Sequence, residues 1–153
     1  MFSRVGLILI NISNYKDPII IGIRIITNHY LYFLSKKSII IQKTKSNGYF
    51  YKSVIGSQGY NSSYQNFILS SGLELNKIDQ NINLLKENSN CFILSGLSLG
   101  KNEHQEIKTQ INHLAPNCKS YQKIKNVLED NSNGIYQGKI FVKDIAQKTD
   151  AYQ

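Results

Sequence analysis

NFILSSGLELNK (66–77) and NCFILSGLSLGK (90–101) are two versions of one phrase. Set one under the other, Asn66 meets Asn90, and both carry Ser-Gly-Leu-x-Leu-x-Lys, with Gly72 and Gly96 separated by 24 positions. A further 42 positions lead from Gly96 to Gly138, which follows Ile-Tyr-Gln where Gly96 follows Ile-Leu-Ser. Two coils of about 21 residues would fill that gap, a period within the range of solenoid repeats. Between these landmarks the chain alternates at period two: Ile82-x-Leu84, then Ile107-x-Thr109-x-Ile111-x-His113 with Lys108, Gln110 and Asn112 opposite. Alternation of that kind puts one set of side chains on each face of a strand.

Working outward, residues 5–12 and 18–26 read as apolar strands joined by the turn Ser13–Asp17, with Pro18 where a missing N–H does least harm. Tyr30–Leu34 and Ser38–Lys43 read as two more, around Ser35-Lys36-Lys37. Residues 46–63 turn polar and Gly-rich, the segment expected to be irregular. Gly134–Gly138 reads as a turn opening a strand over Lys139–Lys143, and Tyr121–Asp130 is the one helical competitor, with Ile124, Val127 and Leu128 on a face. Short strands at short spacing, without helix-sized amphipathic segments between them, predict an all-β chain, a β-helix or a sandwich.

Composition agrees and sets limits. The 153 residues are 41% hydrophobic, enough for one domain with a core. The net charge of +8 raises an anionic partner, but the lysines are scattered, with Lys36-Lys37 the one adjacent pair. Two cysteines make no disulfide framework, and the sequons at Asn11 and Asn61 read as chance matches. Val5–Ile12 lacks a cleavage site, and Ile19–Leu34 carries Arg24, Asn28 and His29, short of the roughly 20 apolar residues of a membrane helix. The expected location is the cytoplasm, or a plastid-type organelle, with no membrane partner.

Chemistry-bearing residues are sparse. His29, His104, His113 and Cys118 lack zinc-site spacing, and a Cys118–His113 nucleophile pair would point to opposite faces of a strand. Glu129-Asp130 diverge for the same reason, which removes the carboxylate pair of a carbohydrate-cleaving β-helix. Gly56-Ser-Gln-Gly59 lacks the lysine of a phosphate loop. The Tyr/Lys interleaving from Tyr30 to Lys52 suits either strand faces or stacking on a single-stranded nucleic acid.

From His104 onward the sequence resembles a known family. His104-x-Glu106-x-x-Thr109-x-Ile111-x-His113-x-x-Pro116-x-Cys118-x-Ser120, Lys125-x-Val127-Leu128, Gly134-Ile-Tyr-Gln-Gly138-Lys-Ile-x-Val142 and Ala146-Gln-Lys-Thr-Asp-Ala-Tyr-Gln153 keep order and spacing without gaps. They resemble the SufB/SufD family of the SUF iron–sulfur cluster assembly system, on its SufD-like branch. Glu106 and Asn112 stand where the family tends to have Asp, and Asn126 where it tends to have Gly, which would ask Asn126 for a left-handed conformation. The resemblance implies a right-handed parallel β-helix core flanked by helical segments. Residues 1–153 would be a partial core domain, cut at both ends and marginally stable alone, because family members run on through an Asn-Leu-Leu-Leu-Ser segment. It also implies a non-enzymatic subunit that pairs with a SufB-like scaffold and a SufC-like ATPase and binds no cofactor itself. It carries no catalytic, cofactor-binding or metal residue onto this sequence. A basic, β-rich nucleic-acid-binding module is the alternative, although a nucleic acid is not the expected partner.

Overall fold

The computed structural model describes the backbone of residues 3–9, 19–26 and 35–43 and all of residues 49–153. Period-two segments become strands throughout: β1 (Ser3–Leu9), β2 (Ile19–Ile26), β3 (Ser35–Lys43), β4 (Tyr49–Gln58), β5 (Ser63–Ser71), β6 (Leu75–Leu84), β7 (Asn90–Leu99), β8 (His104–His113), β9 (Lys119–Leu128), β10 (Asn133–Val142) and β11 (Asp150–Tyr152). Each pairs, in parallel, with the strand two places on. One sheet runs β1-β3-β5-β7-β9-β11, the odd sheet, and the other β2-β4-β6-β8-β10, the even sheet. Chain that alternates between two parallel sheets in this way winds a β-solenoid, as expected, and the described residues contain no helix.

The corners explain the winding. Asn61, Asn88 and Asn117 take positive φ between an even and an odd strand, and Asn102 and Asn131 do so between an odd and an even one. Asparagine tolerates this left-handed turn better than most side chains. Asn88 stacks on Asn61, its Nδ2 donating to Oδ1 at 3.0 Å. Main-chain bonds tie each corner to the next, Asn61 N–H to Glu87 O and Asn117 N–H to Gln147 O.

Inside, alternate residues of facing strands form two apolar clusters. One gathers Val54, Tyr64, Ile82, Leu84, Cys91, Ile93 and Ile111. The other gathers Phe50, Ile68, Leu73, Ile78, Leu97, Leu99 and Ile107. Each large aliphatic residue buried here contributes about 1.5–3 kcal/mol.

Several expectations are corrected. The two Ser-Gly-Leu phrases are not stacked: Ser71 pairs with Ser98 and Leu69 with Gly96, so Gly72 sits at a corner while Gly96 lies mid-strand. The coil is 27 residues from Ser63 to Asn90 and 29 from Asn90 to Lys119, not 24 or 21. Within 46–63, residues 49–58 form β4, because ladder bonds from β6 hold a strand whatever its polar and Gly content. Gly134 and Gly138 lie inside β10 rather than in a turn, and Tyr121–Leu128 is strand, not helix. Asn126 sits in β9 without positive φ, so no left-handed turn is required of it. Strand Tyr30–Leu34 and turn Ser13–Asp17 lie outside the described residues.

Candidate functional site

Polar side chains line up among the apolar clusters, Gln80 and Thr109 between the Ile78–Ile107 and Ile82–Ile111 pairs and Asn76 and Gln105 on the other side of Ile78–Ile107. Asn66 Nδ2 donates to Gln80 Oε1 at 2.8 Å, and Asn76 Nδ2 to Ser70 Oγ at 2.7 Å. One coil along, the Thr109 hydroxyl donates to Gln122 Oε1, which also accepts from Tyr136 OH at 3.2 Å. Gln80 Nε2, Gln122 Nε2 and both amide atoms of Gln105 find no partner among the described residues. Buried amides left in this way are costly, so the line is a feature that packing alone does not favour. Lys52 also points inward, 1% exposed, without a hydrogen-bonding or ion-pair partner among the described residues. Burial lowers its pKa to about 8.

The histidines and cysteines separate. His113 is sealed inside, its Nε2 at 2.9 Å from Ser120 Oγ. Burial lowers its pKa and favours the neutral ring. The distance is that of a base and a nucleophile, yet His113 Nδ1 has no orienting acid and neither residue reaches solvent. Cys118 sits at the next corner, its Sγ 3.2 Å from Ser89 Oγ. His104 opens β8 half-exposed, between Leu75 and Asn133, and His29 lies outside the described residues. Burial pushes the Cys91 thiol well up, keeping it a thiol. Among the described residues, no group of three His, Cys, Asp or Glu is placed to hold a metal. Glu129 and Asp130 fall at a corner, where the Glu129 N–H donates to Leu99 O.

The two outer faces differ in kind. On the even sheet, Tyr51 OH donates to Asp79 Oδ2 at 2.8 Å and Tyr49 OH to Glu74 Oε1 at 3.2 Å. The hydrogen bond to Asp79 raises the Tyr51 pKa, and the Glu74 charge raises that of Tyr49. Lys77 lies 3.2 Å from Glu106, whose hydrogen bond raises the lysine pKa. Asn112 Nδ2 donates to Asn81 and Asn83, and Gln110 donates to Asn112. Of the Tyr/Lys stretch, Tyr30 and Tyr32 lie outside the described residues; Tyr49 and Tyr51 hold carboxylates and Lys52 is inside, so those three form no stacking surface. The odd sheet instead turns Phe67, Leu69 and Leu94 outward beside Lys123 and Lys125.

AQKTDAYQ builds the last corner and the strand after it. Ala146 is buried, Thr149 Oγ1 donates to Ala146 O at 3.0 Å, and Gln147 Nε2 donates to Asp144 O at 2.6 Å. Asp150–Tyr152 then pairs with Lys119–Tyr121 as β11. The Gln153 side chain lies against Gly138, where no Cβ stands in its way. Val142, Lys143, Lys148 and Thr149 line an open cavity of ≈ 500 Å³ beside this corner. The octet is architecture, with no acid, base and nucleophile in mutual reach.

The model of the SUF system FeS cluster assembly, SufBD core domain, matches residues 35–153, which takes in β3 to β11 and the octet. The chain belongs to the SufBD core family. No curated protein and no solved structure gives a match. Membership places the chain in SUF-type iron–sulfur cluster assembly, in a family whose members act as scaffold-like subunits. In this SufBD core the described residues of the matched span wind as a solenoid, and no helix of the described residues is long and apolar enough to cross a membrane.

Proposed function

We propose that the chain is a SufD-like, non-catalytic subunit of the SUF assembly complex. It acts by protein contact with a SufB-like scaffold subunit and a SufC-like ATPase, in the cytoplasm or a plastid-type organelle. Iron and sulfur are the cargo of that complex rather than a resident group of this chain. The SufBD core match over residues 35–153 carries the reading. Within it, HLAPNCKS and AQKTDAYQ are the residues whose likeness favours the SufD-like branch. The interior supports a structural role: the His113–Ser120 contact is sealed, and both thiols are buried.

Co-expression of the tagged chain with the SufB-like and SufC-like proteins of the same genome tests this. Retention of both on the tag, in fixed proportion through gel filtration, is expected. A SufB–SufC complex that forms normally and leaves the tagged chain behind would overturn the proposal.

A further inference from the structure

The odd sheet sets apolar rows at right angles to its strands. By register, Gln65, Phe92, Tyr121 and Tyr152 form one row, Phe67, Leu94 and Lys123 the next, and Leu69, Gly96 and Lys125 the third. Phe67, Leu69 and Leu94 are 39%, 44% and 39% exposed, and Tyr121 and Tyr152 are also exposed. Below them, Ile39 and Ile41 hold the register positions beside Phe67 and Leu69. The second and third rows therefore run from apolar residues on β5 and β7 to ammonium groups on β9.

Neither Lys123 nor Lys125 has an ion-pair partner among the described residues. The outward positions of β5, β7 and β9 hold no carboxylate, and Asp150 on β11 is engaged with Lys119 at 3.4 Å. The even sheet pairs Lys77 with Glu106 and its tyrosines with Asp79 and Glu74, whereas Lys123 and Lys125 have no such partner among the described residues.

We infer that the outer face of β5, β7 and β9 docks an acidic amphipathic helix of a partner protein. Strands lie about 4.8 Å apart, so β5 to β9 span about 10 Å, the diameter of one helix. A helix laid along the strands would cover Phe67, Leu69, Phe92 and Leu94 with its apolar stripe. Its flank over β9 would then bring carboxylates to Lys123 and Lys125. Gly96 leaves a notch between Leu69 and Lys125, where an added Cβ would touch only Leu69 Cδ1, at 3.5 Å. A large apolar side chain of the partner fits there. Nucleic acid would want cations spread along a path with flat rings between them. Here Lys123 and Lys125 stand on one side, along β9, and the apolar residues of β5 and β7 on the other. The inference does not depend on which SUF subunits the chain meets.

The test is fluorescence anisotropy with the full chain and a labelled helical peptide of about 18 residues (about five turns), having one Leu/Phe stripe flanked by Glu. Its twin carries Lys in place of Glu. The acidic peptide should bind at least tenfold more tightly than the twin. Lys123→Glu combined with Lys125→Glu should reverse that order, Leu94→Asp should abolish binding, and Lys108→Glu on the even sheet should change nothing. All these positions are exposed, Leu94 at 39%, and circular dichroism confirms that each variant keeps its strands. Equal binding of both peptides, or indifference to the double charge reversal, would overturn the inference. So would tighter binding of a single-stranded oligonucleotide, or a dimer of the chain alone that Leu94→Asp dissolves.

Discussion

β8 and β10 are neighbours in the even sheet with the same ten-residue length, paired residue for residue, yet their inward residues differ sharply in burial. Ile107 and Ile111 of β8 are sealed at 1% and 0%, whereas Val142 of β10 is 44% exposed. β8 lies between β6 and β10, while β10 pairs with β8 alone among the described strands. The odd sheet repeats the contrast, with Leu99 of β7 buried and its register neighbour Leu128 on β9 exposed. Alternation along a strand decides which way a side chain faces; a coil on each side decides whether it is buried. Stability in a stacked array is correspondingly a sum over coils and their interfaces.

The largest expected effect tests that distinction directly. Ile107→Ala opens a cavity between packed coils and should cost about 2–5 kcal/mol in urea unfolding. Val142→Ala, cut from a half-covered position, should cost less than about 1 kcal/mol. Equal losses would mean that β10 is covered in solution, for instance by self-association, which sedimentation would show.

Next in size is a charge carried into the column on β4, which has a strand on each side. Lys52 sits inward in register with Ile78 of β6, at a position where Ile107 and Tyr136 follow on β8 and β10. An ammonium without a partner is disfavoured there. Lys52→Met keeps most of the stem and removes the charge, and should stabilise the chain by on the order of 1 kcal/mol. The pH dependence identifies the cause. The folded pKa of about 8 lies below the ordinary 10.5, so between those values the unfolded chain holds more protons and stability rises with pH. The advantage of the variant is therefore full below about pH 8 and should vanish above 10.5. An advantage independent of pH would point to packing instead. His113, whose pKa burial also lowers, works in the same direction lower down: stability present above its ordinary 6.5 should fall as pH drops below that value.

How far the sequence could reveal this fold depends on what each residue reports. The inward positions Ile78, Ile82, Ile107 and Ile111 announce strands with a buried face, and the solenoid follows from many such strands without helices. Coil length was misread because NFILSSGL and NCFILSGL are alike in composition but not in place: Asn66 faces in beside Ile93, while Asn90 begins a strand beside Ser63. Corner asparagines would have told the period. Asn61 to Asn88 is 27 positions, Asn88 to Asn117 is 29, and Asn102 to Asn131 is 29, matching the coils. Likewise the Gly-rich look of residues 49–58 and of 134–138 suggested turns, because glycine signals freedom locally. In a stacked ladder it can instead signal room for a side chain from across the interior. The pairing of the buried amides Gln80, Gln105 and Gln122 was invisible for a related reason: alternation says they face in, but not that Gln80 and Gln122 would accept from Asn66 and Thr109 while Gln105 finds no partner among the described residues. The outward apolar rows escaped notice too, since the rows run across strands and only the register assembles them.

Gly138 offers the smallest effect and separates these two meanings of glycine. Its φ is not in the left-handed region, so its backbone accepts any residue. An added Cβ would run into the Gln153 side chain and come within 2.6 Å of Tyr136 OH. Both obstacles are the far ends of side chains, and Gln153 is exposed. Where coils lie on both sides, an extra methyl forces packed neighbours apart, at about 1–3 kcal/mol. On β10 the glutamine can swing outward, so Gly138→Ala should change stability by less than about 1 kcal/mol. What should change is position: the Gln153 side-chain amide resonances should move towards free-glutamine values, while the Thr109–Gln122 contact one coil away stays intact. A loss near the covered-coil figure would show that Gln153 is clamped where it lies, and that this end of the column is as tightly packed as the middle.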